Sequence, residues 1–214
     1  MPNLTDIDAV AFDAYGTLFD LEGNWAAPEV VSAMREKQLQ YSWQLSLMGE
    51  YRDFREVTRA AIEYTLDAFD IPGDVDEILQ HQLSIMTFAE VHRAIDRIGA
   101  GRRLFVISNG HPDALSVLVR NAGLEGRFEA LVSSHEVRIY KPSPKVYQLL
   151  LDRAGVGRER LLFVSSNSWD AAGAAAFGLR VAWINRRSAP RERVGGTPEL
   201  VVGDLAELAT RLGA

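Results

Sequence analysis

An aspartate that follows an apolar run near the N-terminus is the first residue of this chain that suits covalent chemistry. Residues 10–12 are Val, Ala and Phe, Asp13 comes next, and Gly16 and Thr17 follow almost at once. Such a run is typical of a buried strand in a parallel sheet, and Asp13 would lie at the carboxyl end of that strand, where open α/β sheets bind their ligands. Asp13 is therefore a candidate nucleophile, and an aspartate that only caps the following turn is the alternative.

Three further polar clusters follow apolar runs later in the chain. They are Ser108-Asn109-Gly110, Tyr140-Lys141-Pro142, and Ser165-Ser166-Asn167 with Asp170 three residues on. Each cluster alone has an ordinary explanation as a turn, a surface corner or a helix cap. The carboxyl ends of parallel strands share one edge, however, so that the clusters in this order predict a single site that contains Asp13.

The segments between these clusters predict the core of the fold. After residue 100, strand patterns alternate with helical ones, which implies a parallel sheet with right-handed crossovers. The predicted strands are 103–107, 128–132, 161–164 and 180–184, and the predicted helices are 112–121, 144–154, 169–177 and 204–212.

Residues from about 20 to 90 have helical periodicity instead. Pro28 suits the first turn of one helix, and Asp74 caps another that is expected to carry Leu83 and Met86. We therefore predict an α/β fold, with a Rossmann-like parallel sheet core flanked by helices and an all-helical cap subdomain inserted after strand one. The core would comprise residues 1–19 and 91–214, and the cap residues 20–90.

The composition of the chain restricts the classes of partner that it could bind and the compartment in which we expect it. The 214 residues carry a formal net charge of -6 and no long basic run, which argues against a nucleic-acid partner. Four arginines between residues 186 and 193 are expected in a solvated loop. The chain has no cysteine, and therefore neither disulfides nor a cysteine metal site. Without a leader pattern or a bilayer-length apolar stretch, we expect a cytoplasmic protein with no membrane partner.

The order of the polar clusters resembles the haloacid dehalogenase-like superfamily, and the detailed motifs resemble its L-2-haloacid dehalogenases. The most specific motifs are Ser-Ser-Asn-x-Trp-Asp at 165–170 and Arg-x-Lys-Gln-Leu at 35–39. The remaining matches are Asp-Ala-Tyr-Gly-Thr-Leu at 13–18, Ser-Asn-Gly at 108–110, and Tyr-Lys-Pro at 140–142 with Tyr147. The resemblance extends from about residue 8 to residue 187. It implies hydrolysis of short-chain L-2-haloacids to D-2-hydroxy acids and halide by a homodimer, with inversion at carbon 2 and without a metal or other cofactor.

The resemblance also implies the residues that meet the substrate. Asp13 would attack the carbon that bears the halogen, with support from Thr17. The groups expected to hold the substrate carboxylate are Ser108, Lys141 and the backbone at Ala14 and Tyr15. The groups expected to surround the departing halide are Arg35, Asn109 and Trp169.

Hydrolysis of the resulting aspartyl ester needs an activated water molecule. The resemblance assigns its orientation and activation to Asn167, Asp170 and Ser165. Lys141 would balance the charges and Tyr147 would support Lys141. Leu39, Phe54 and Trp169 would line an apolar pocket.

Two positions separate this chain from the magnesium-dependent phosphatases that it also resembles. Those enzymes place a second acid two residues after the nucleophile, where this chain has Tyr15, and an acidic metal site after strand four, where this chain has residues 165–167, Ser-Ser-Asn. A halide leaves as a weak base and needs no proton, so dehalogenation does not require the second acid. A magnesium-dependent phosphatase and a non-catalytic protein that binds small acids are the alternatives.

Several residues carry weaker signals. By its pattern alone, Arg35 is one charge on a solvated helix, and only the resemblance places it in the site. We expect Trp43 and Met48 to serve cap packing or a subunit interface. His111 is predicted to start a helix, and no function is predicted for the remaining histidines, which are His81, His92 and His135.

Overall fold

The computed structural model describes residues 4–21 and 25–214. Residues 1–3 and 22–24, which the sequence places in the core and the cap respectively, lie outside the described part of the chain. Six strands form one parallel sheet: β1 Ala9–Asp13, β2 Arg103–Ser108, β3 Ala130–Ser133, β4 Leu161–Ser165, β5 Arg180–Ile184 and β6 Leu200–Val202. Their spatial order is β3-β2-β1-β4-β5-β6, which confirms the Rossmann-like arrangement.

The described residues form eight α-helices. They are α1 Pro28–Met48, α2 Phe54–Phe69, α3 Val75–His81, α4 Val91–Gly99, α5 Pro112–Asn121, α6 Pro144–Ala154, α7 Ser168–Phe177 and α8 Leu205–Arg211. Short 3₁₀ helices at Ser134–Val137 and Arg158–Arg160 precede α6 and β4 respectively. No helix in the described ranges is long and apolar enough to cross a membrane.

The central strand β1 is buried along its whole length because helices cover both faces of the sheet. Val10 and Phe12 point into an apolar cluster shared with α4, α5 and α8. Ala9 and Ala11 point to the opposite face, into a cluster shared with α6 and α7. In α7, a Cβ added at Gly173 would come within 2.5 Å of Pro142 Cβ, so this helix packs closely against the segment that carries Lys141.

The helices α1, α2 and α3 form the predicted helical cap and contain an apolar cluster of their own, built around Met34, Ile62 and Leu79. We use the name cap for these three helices together with the segments that join them. A second cluster joins the cap to the core, where Phe54 and Val57 pack with Tyr140. The separate cluster within the cap is in line with the division of the chain at residues 19/20 and 90/91, which stays a proposal.

The elements differ from the predictions in several places. The helix that follows Asp74 ends at His81 and does not carry Leu83 or Met86, because the chain there returns to the core: Asp20 N–H donates to the Met86 carbonyl at 2.8 Å. Strand β3 begins at Ala130, and Phe128 lies before it, with its ring packed edge-on against Phe12. Helix α4 and strand β6 were not predicted.

Candidate active site

Asp13 lies at the carboxyl end of the central strand, where the sequence predicts it. Its strand pairs with β2 on one side and β4 on the other, so the segments after all three strands meet around its carboxylate. The Thr17 hydroxyl donates to Oδ2 of Asp13 at 2.9 Å, and Nδ2 of Asn167 donates to the same oxygen at 2.8 Å. Asp13 is 6% exposed, so this carboxylate is held almost entirely by protein donors.

The ammonium group of Lys141 bridges two carboxylates. Nζ lies 2.9 Å from Oδ1 of Asp13 and 2.8 Å from Oδ2 of Asp170. Burial alone would lower the pKa of Lys141, but the negative charges of Asp13 and Asp170 outweigh it and raise that pKa above its ordinary value. Lys141 therefore remains a cation, and its charge compensates the two acids on either side.

Asp170 is fully buried on α7 and receives three side-chain hydrogen bonds. Lys141 and the Ser165 hydroxyl donate to Oδ2, the latter at 3.1 Å, and the Tyr147 hydroxyl donates to Oδ1 at 2.7 Å. Burial raises the pKa of Asp170; Lys141 opposes this effect, and the charge of Asp13 adds to it. We predicted that Tyr147 supports Lys141; in the structure it reaches Lys141 through Asp170, to which both side chains bond.

A tight turn after β1 places the donors around Asp13. Gly16 has a φ of +83°, which favours glycine, and its N–H donates to the Phe19 carbonyl at 2.8 Å. Oγ1 of Thr17 accepts the N–H of Ser166 at 2.8 Å, and the Ser166 hydroxyl bonds to the Gly16 carbonyl. Ser166 thereby ties the end of β4 to this turn, a role that the sequence does not reveal.

The cap contributes Arg35 to the same region, as the resemblance implies. Its guanidinium lies 6.0 Å from the centre of the Tyr15 ring, and Nη1 donates to Oε1 of Gln38 at 2.9 Å. Burial lowers the pKa of Arg35, while the nearby Asp13 and Tyr15 oppose that effect. Burial raises the pKa of Tyr15 to about 12; Arg35 opposes this effect, and the charge of Asp13 adds to it. Tyr15 is thus a neutral phenol beside a cation, and a poor substitute for a catalytic carboxylic acid.

Ser108 and Asn109 follow β2 and are both buried. The Ser108 hydroxyl accepts the Gly110 N–H at 3.0 Å, and Oδ1 of Asn109 accepts the N–H of Lys141 at 3.0 Å. Asn109 therefore fixes the backbone that carries Lys141. Its predicted contact with halide and the predicted contact of Ser108 with the substrate carboxylate remain proposals.

Trp169 lies at the contact between core and cap. Its ring packs edge-on against that of Trp43 with centroids 5.5 Å apart, and Nε1 of Trp43 donates to the Lys141 carbonyl at 3.2 Å. Trp43 thus packs the cap against the core, next to the segment that carries Lys141.

Phe54 and Leu39 are the other two residues that we predicted to line an apolar pocket. Phe54 is buried against Tyr140, with ring centroids 5.6 Å apart, and Leu39 is half-buried one turn after Arg35 on α1. Both residues stay predicted parts of the pocket.

Arg186 departs from the expectation of a solvated loop. Its Nη2 donates to the Thr17 carbonyl at 3.2 Å, and its Nη1 lies 2.6 Å from Oε1 of Glu90. Arg186 thus ties the turn after β1 to the segment that returns from the cap.

Two places in the described ranges bear on metal binding: the carboxylates of the catalytic cluster, and a separate group of potential ligands. Between Asp13 and Asp170, the position that a bridging cation would take is filled by Nζ of Lys141. The second group, Asp53, His111 and His135, lies elsewhere, where the cap meets the core.

The chain is similar in sequence to proteins of known activity. The family model for haloacid dehalogenase-like hydrolases matches residues 7–178. Haloacetate dehalogenase H-2 from Moraxella sp. (strain B) is 39% identical over an alignment of 209 positions, which covers 92% of this chain and 93% of that protein. (S)-2-haloacid dehalogenase 2 from Pseudomonas sp. (strain CBS-3) is 37% identical over an alignment of 222 positions, which covers 98% of this chain and 97% of that protein.

A solved structure resembles the chain over nearly its whole length. It is the L-2-haloacid dehalogenase from Xanthobacter autotrophicus with chloropropionic acid covalently bound, and it matches with a TM-score of 0.90 and 33% identity. The match covers 97% of this chain and 99% of that one.

Proposed function

The chain belongs to the haloacid dehalogenase-like hydrolases, and we propose that it hydrolyses short-chain L-2-haloacids to D-2-hydroxy acids and halide through an ester on Asp13. The observation that carries this proposal is the position of Lys141 Nζ, 2.9 Å from Asp13 and 2.8 Å from Asp170. A fixed ammonium holds the nucleophile and a second carboxylate together in a buried site, with Tyr15 in place of the phosphatase acid.

In the first step a carboxylate oxygen of Asp13 attacks carbon 2 of the haloacid from the side opposite the halogen. A carbon–oxygen bond forms as the carbon–halogen bond breaks, and the configuration at carbon 2 inverts. Lys141, Thr17 and Asn167 hold the Asp13 carboxylate, so that little reorientation is needed when the substrate arrives. The substrate carboxylate would be held by Lys141, Ser108 and the backbone at Ala14 and Tyr15.

The halide leaves as an anion. A positively charged side chain can stabilise it, so no proton has to be transferred to it. Arg35, oriented by Gln38 and close to Tyr15, is the cap cation available for this purpose. In a site that is largely closed to water, such a charge stabilises developing negative charge more than it does in solvent. Asn109 and Trp169 would complete the surroundings of the halide.

In the second step water attacks the carbonyl carbon of the aspartyl ester, which releases the hydroxy acid and restores Asp13. We assign to Asp170 the acceptance of the proton of that water, and its raised pKa makes it a stronger base than an ordinary aspartate. Ser165, Tyr147 and Lys141 hold the Asp170 carboxylate. Asn167 accepts the backbone N–H of Asp170 at its carbonyl and donates its side-chain amide to Asp13. The chloropropionic acid bound covalently in the Xanthobacter structure supports an ester intermediate.

The reaction proceeds without a metal ion in this proposal. Magnesium needs several oxygen ligands around an open position between the carboxylates, and a lysine ammonium fills that position here. Asp13 loses its negative charge as it becomes an ester, so the departing halide adds no net charge to the site, and Lys141 and Arg35 are the two cations beside the substrate.

We further propose that the protein acts as a cytoplasmic homodimer. Leu47 and Met48, at the end of α1, are 88% and 62% exposed, which supports the predicted role of Met48 in a subunit interface.

The direct test is halide release from each enantiomer of 2-chloropropionate, with and without excess chelator. We expect the L enantiomer to be converted to D-lactate at a rate that the chelator leaves unchanged. Loss of activity on chelation with rescue by magnesium, together with hydrolysis of phosphomonoesters, would favour the phosphatase alternative. Binding of 2-chloropropionate without halide release would favour the non-catalytic one.

A further inference from the structure

Three residues from separate parts of the chain meet where the cap touches the core. Asp53 precedes α2 in the cap, His111 precedes α5 in the core, and His135 lies in the 3₁₀ helix after β3. We propose that Asp53, His111 and His135 form a binding site for a divalent transition-metal ion of the zinc type, separate from the catalytic cluster.

The distances between the ligand atoms suit such an ion. Oδ2 of Asp53 lies 3.4 Å from Nε2 of His111 and 3.9 Å from Nδ1 of His135, and the ligand atoms all lie within 4.8 Å of one another. Ligand atoms about 2.0–2.2 Å from a tetrahedral zinc are separated by roughly 3.4 Å. Small side-chain rotations therefore bring three ligands into place, and water would complete the coordination.

The other hydrogen bonds of these side chains orient the ligand atoms. Oδ1 of Asp53 accepts the Arg55 N–H at 2.7 Å, which caps α2 and leaves Oδ2 to face the histidines. Nδ1 of His111 accepts the Asp113 N–H at 3.3 Å and lies 3.7 Å from Oδ2 of Asp113. When Nε2 binds a metal, Nδ1 carries the proton; it then gives up the Asp113 N–H and donates instead to the Asp113 carboxylate beside it, as is usual for metal-binding histidines.

The site is open enough for an ion to enter. The side chains of Asp53, His111 and His135 are 25%, 28% and 37% exposed. Tyr51 donates to or accepts from Nδ1 of His135 at 2.9 Å, and Arg138 lies over the Tyr51 ring at 4.9 Å. Metal binding at Nδ1 of His135 replaces the Tyr51 contact.

The donor set selects the class of ion. Two imidazoles and one carboxylate suit Zn²⁺, Co²⁺, Ni²⁺ or Cu²⁺, whereas Mg²⁺ prefers oxygen ligands only. Because Asp53 belongs to the cap and both histidines belong to the core, a bound ion joins the two. The ion would also lie next to the segment that carries Ser108 and Asn109, without contact to Asp13.

The test uses the full chain without an affinity tag, first treated with chelator and then dialysed. Calorimetric titration with Zn²⁺ is expected to give one saturable site per chain, and titration with Mg²⁺ none. Co²⁺ in the same site should give the intense visible bands of a tetrahedral ion, unlike the weak bands of the hydrated ion. This spectrum reports on the wild-type protein, whatever any variant does.

Three variants and one matched control locate the site. Asp53→Asn and His111→Asn keep an acceptor at a helix start, His135→Gln removes one imidazole, and His92→Gln changes an exposed histidine elsewhere. Each of the first three is expected to weaken Zn²⁺ binding at least about tenfold, while the control binds as the wild type does. Absence of a saturable Zn²⁺ site, or wild-type affinity in two or more of the three variants, would overturn the proposal. Binding is measured without substrate, so these outcomes are independent of the dehalogenase assay.

Discussion

Nη1 of Arg35 donates to Oε1 of Gln38 at 2.9 Å, so a neighbouring side chain on the same helix orients the guanidinium. Gln38 is itself buried, and its amide nitrogen donates to the hydroxyl of Thr58 on α2. The position of the cation that faces Tyr15 is therefore built into the packing of α1 on α2. A charge held in this way costs little reorganisation when the halide develops its own charge.

The first prediction follows for Arg35→Lys, which keeps the charge but loses the planar set of donors. We expect turnover of L-2-chloropropionate to fall on the order of a hundredfold, as for other lost charge-stabilising donors. Arg55→Lys, on the exposed surface of α2, is the matched control and should retain full activity. A wild-type rate in Arg35→Lys would show that Arg35 has no role in halide release, in line with the solvated helix position that its sequence pattern alone suggests.

The second prediction concerns Asp13→Asn, which removes the anionic nucleophile and nearly preserves its shape. Activity should fall to the assay background. Lys141 keeps Asp170 at 2.8 Å as a partner, so we expect the thermal midpoint to move by less than about 4 °C. Asp67→Asn on the cap surface is the control for deamidation and handling. Substantial activity in a sample verified by mass spectrometry would exclude Asp13 as the nucleophile.

Much of the fold was predictable because local signals and the global fold agree. Helices α5 and α6 have their predicted bounds, since Pro112 and Pro144 occupy first turns and a glycine follows each helix end closely. Helix α4 was missed although Val91, Ala94, Ile95 and Ile98 have helical spacing, because the helix has nine residues and no side-chain cap. Strand β6 has only three residues, too few for periodicity to show.

The site was predictable to the extent that it depends on strand ends. Asp13, Thr17, Lys141, Asn167 and Asp170 are joined by hydrogen bonds, as the shared edge of a parallel sheet implies. The contributions that were missed depend on side-chain directions between distant segments, which sequence spacing does not encode. Those contributions are the bonds of Ser166 to the turn after β1 and the ties of Arg186 to that turn and to Glu90.

The third prediction concerns Tyr147→Phe. The variant removes the hydroxyl that donates to Oδ1 of Asp170 at 2.7 Å, at a carboxylate without solvent exposure. We expect a loss of about 1–3 kcal/mol in the free energy of unfolding, measured by urea denaturation, together with slower turnover. Tyr64→Phe, at a half-exposed cap position, should change neither quantity. Unchanged stability and turnover in Tyr147→Phe would show that Asp170 does not depend on this bond.

The fourth prediction concerns the dependence of turnover on pH. Because burial raises the pKa of Asp170 above 3.8, the general base should be lost at a higher pH than that of an exposed aspartate, and the acidic limb of kcat should lie above pH 3.8. This limb belongs to the coupled group of Asp13, Lys141 and Asp170 as a whole.

The free energy of unfolding depends on the protonation of Asp170 in the opposite direction to turnover. The folded protein binds this proton more tightly than the unfolded chain, so the contribution of Asp170 to stability is fully present below pH 3.8 and is lost as the pH rises through the raised pKa. Protonation of Asp170 therefore reduces activity without unfolding the protein. Circular dichroism at each pH separates the two effects, and a constant kcat down to pH 3.8 in folded protein would contradict the assignment of Asp170 as the base.

The last prediction concerns the source of the oxygen in the product. If Asp13 attacks carbon, the new hydroxyl oxygen comes from the Asp13 carboxylate, and water enters only when it opens the ester at the carbonyl carbon. In a single turnover with excess enzyme in heavy-oxygen water, the first product should carry ordinary oxygen, and Asp13 should gain the label. Mass spectrometry of the hydroxy acid and of the peptide that contains Asp13 measures both quantities.

The same experiment separates the covalent route from its nearest rival, in which Asp13 acts as a general base and water attacks the substrate directly. On that route the first product is already labelled and Asp13 stays light. The structure supports the covalent route because Lys141, Thr17 and Asn167 fix the Asp13 carboxylate, and a second buried carboxylate, Asp170, is bonded to the same ammonium. A direct attack needs only one carboxylate, whereas two steps with different roles need two. A labelled first product with an unlabelled Asp13 peptide would refute the ester intermediate even in an active dehalogenase.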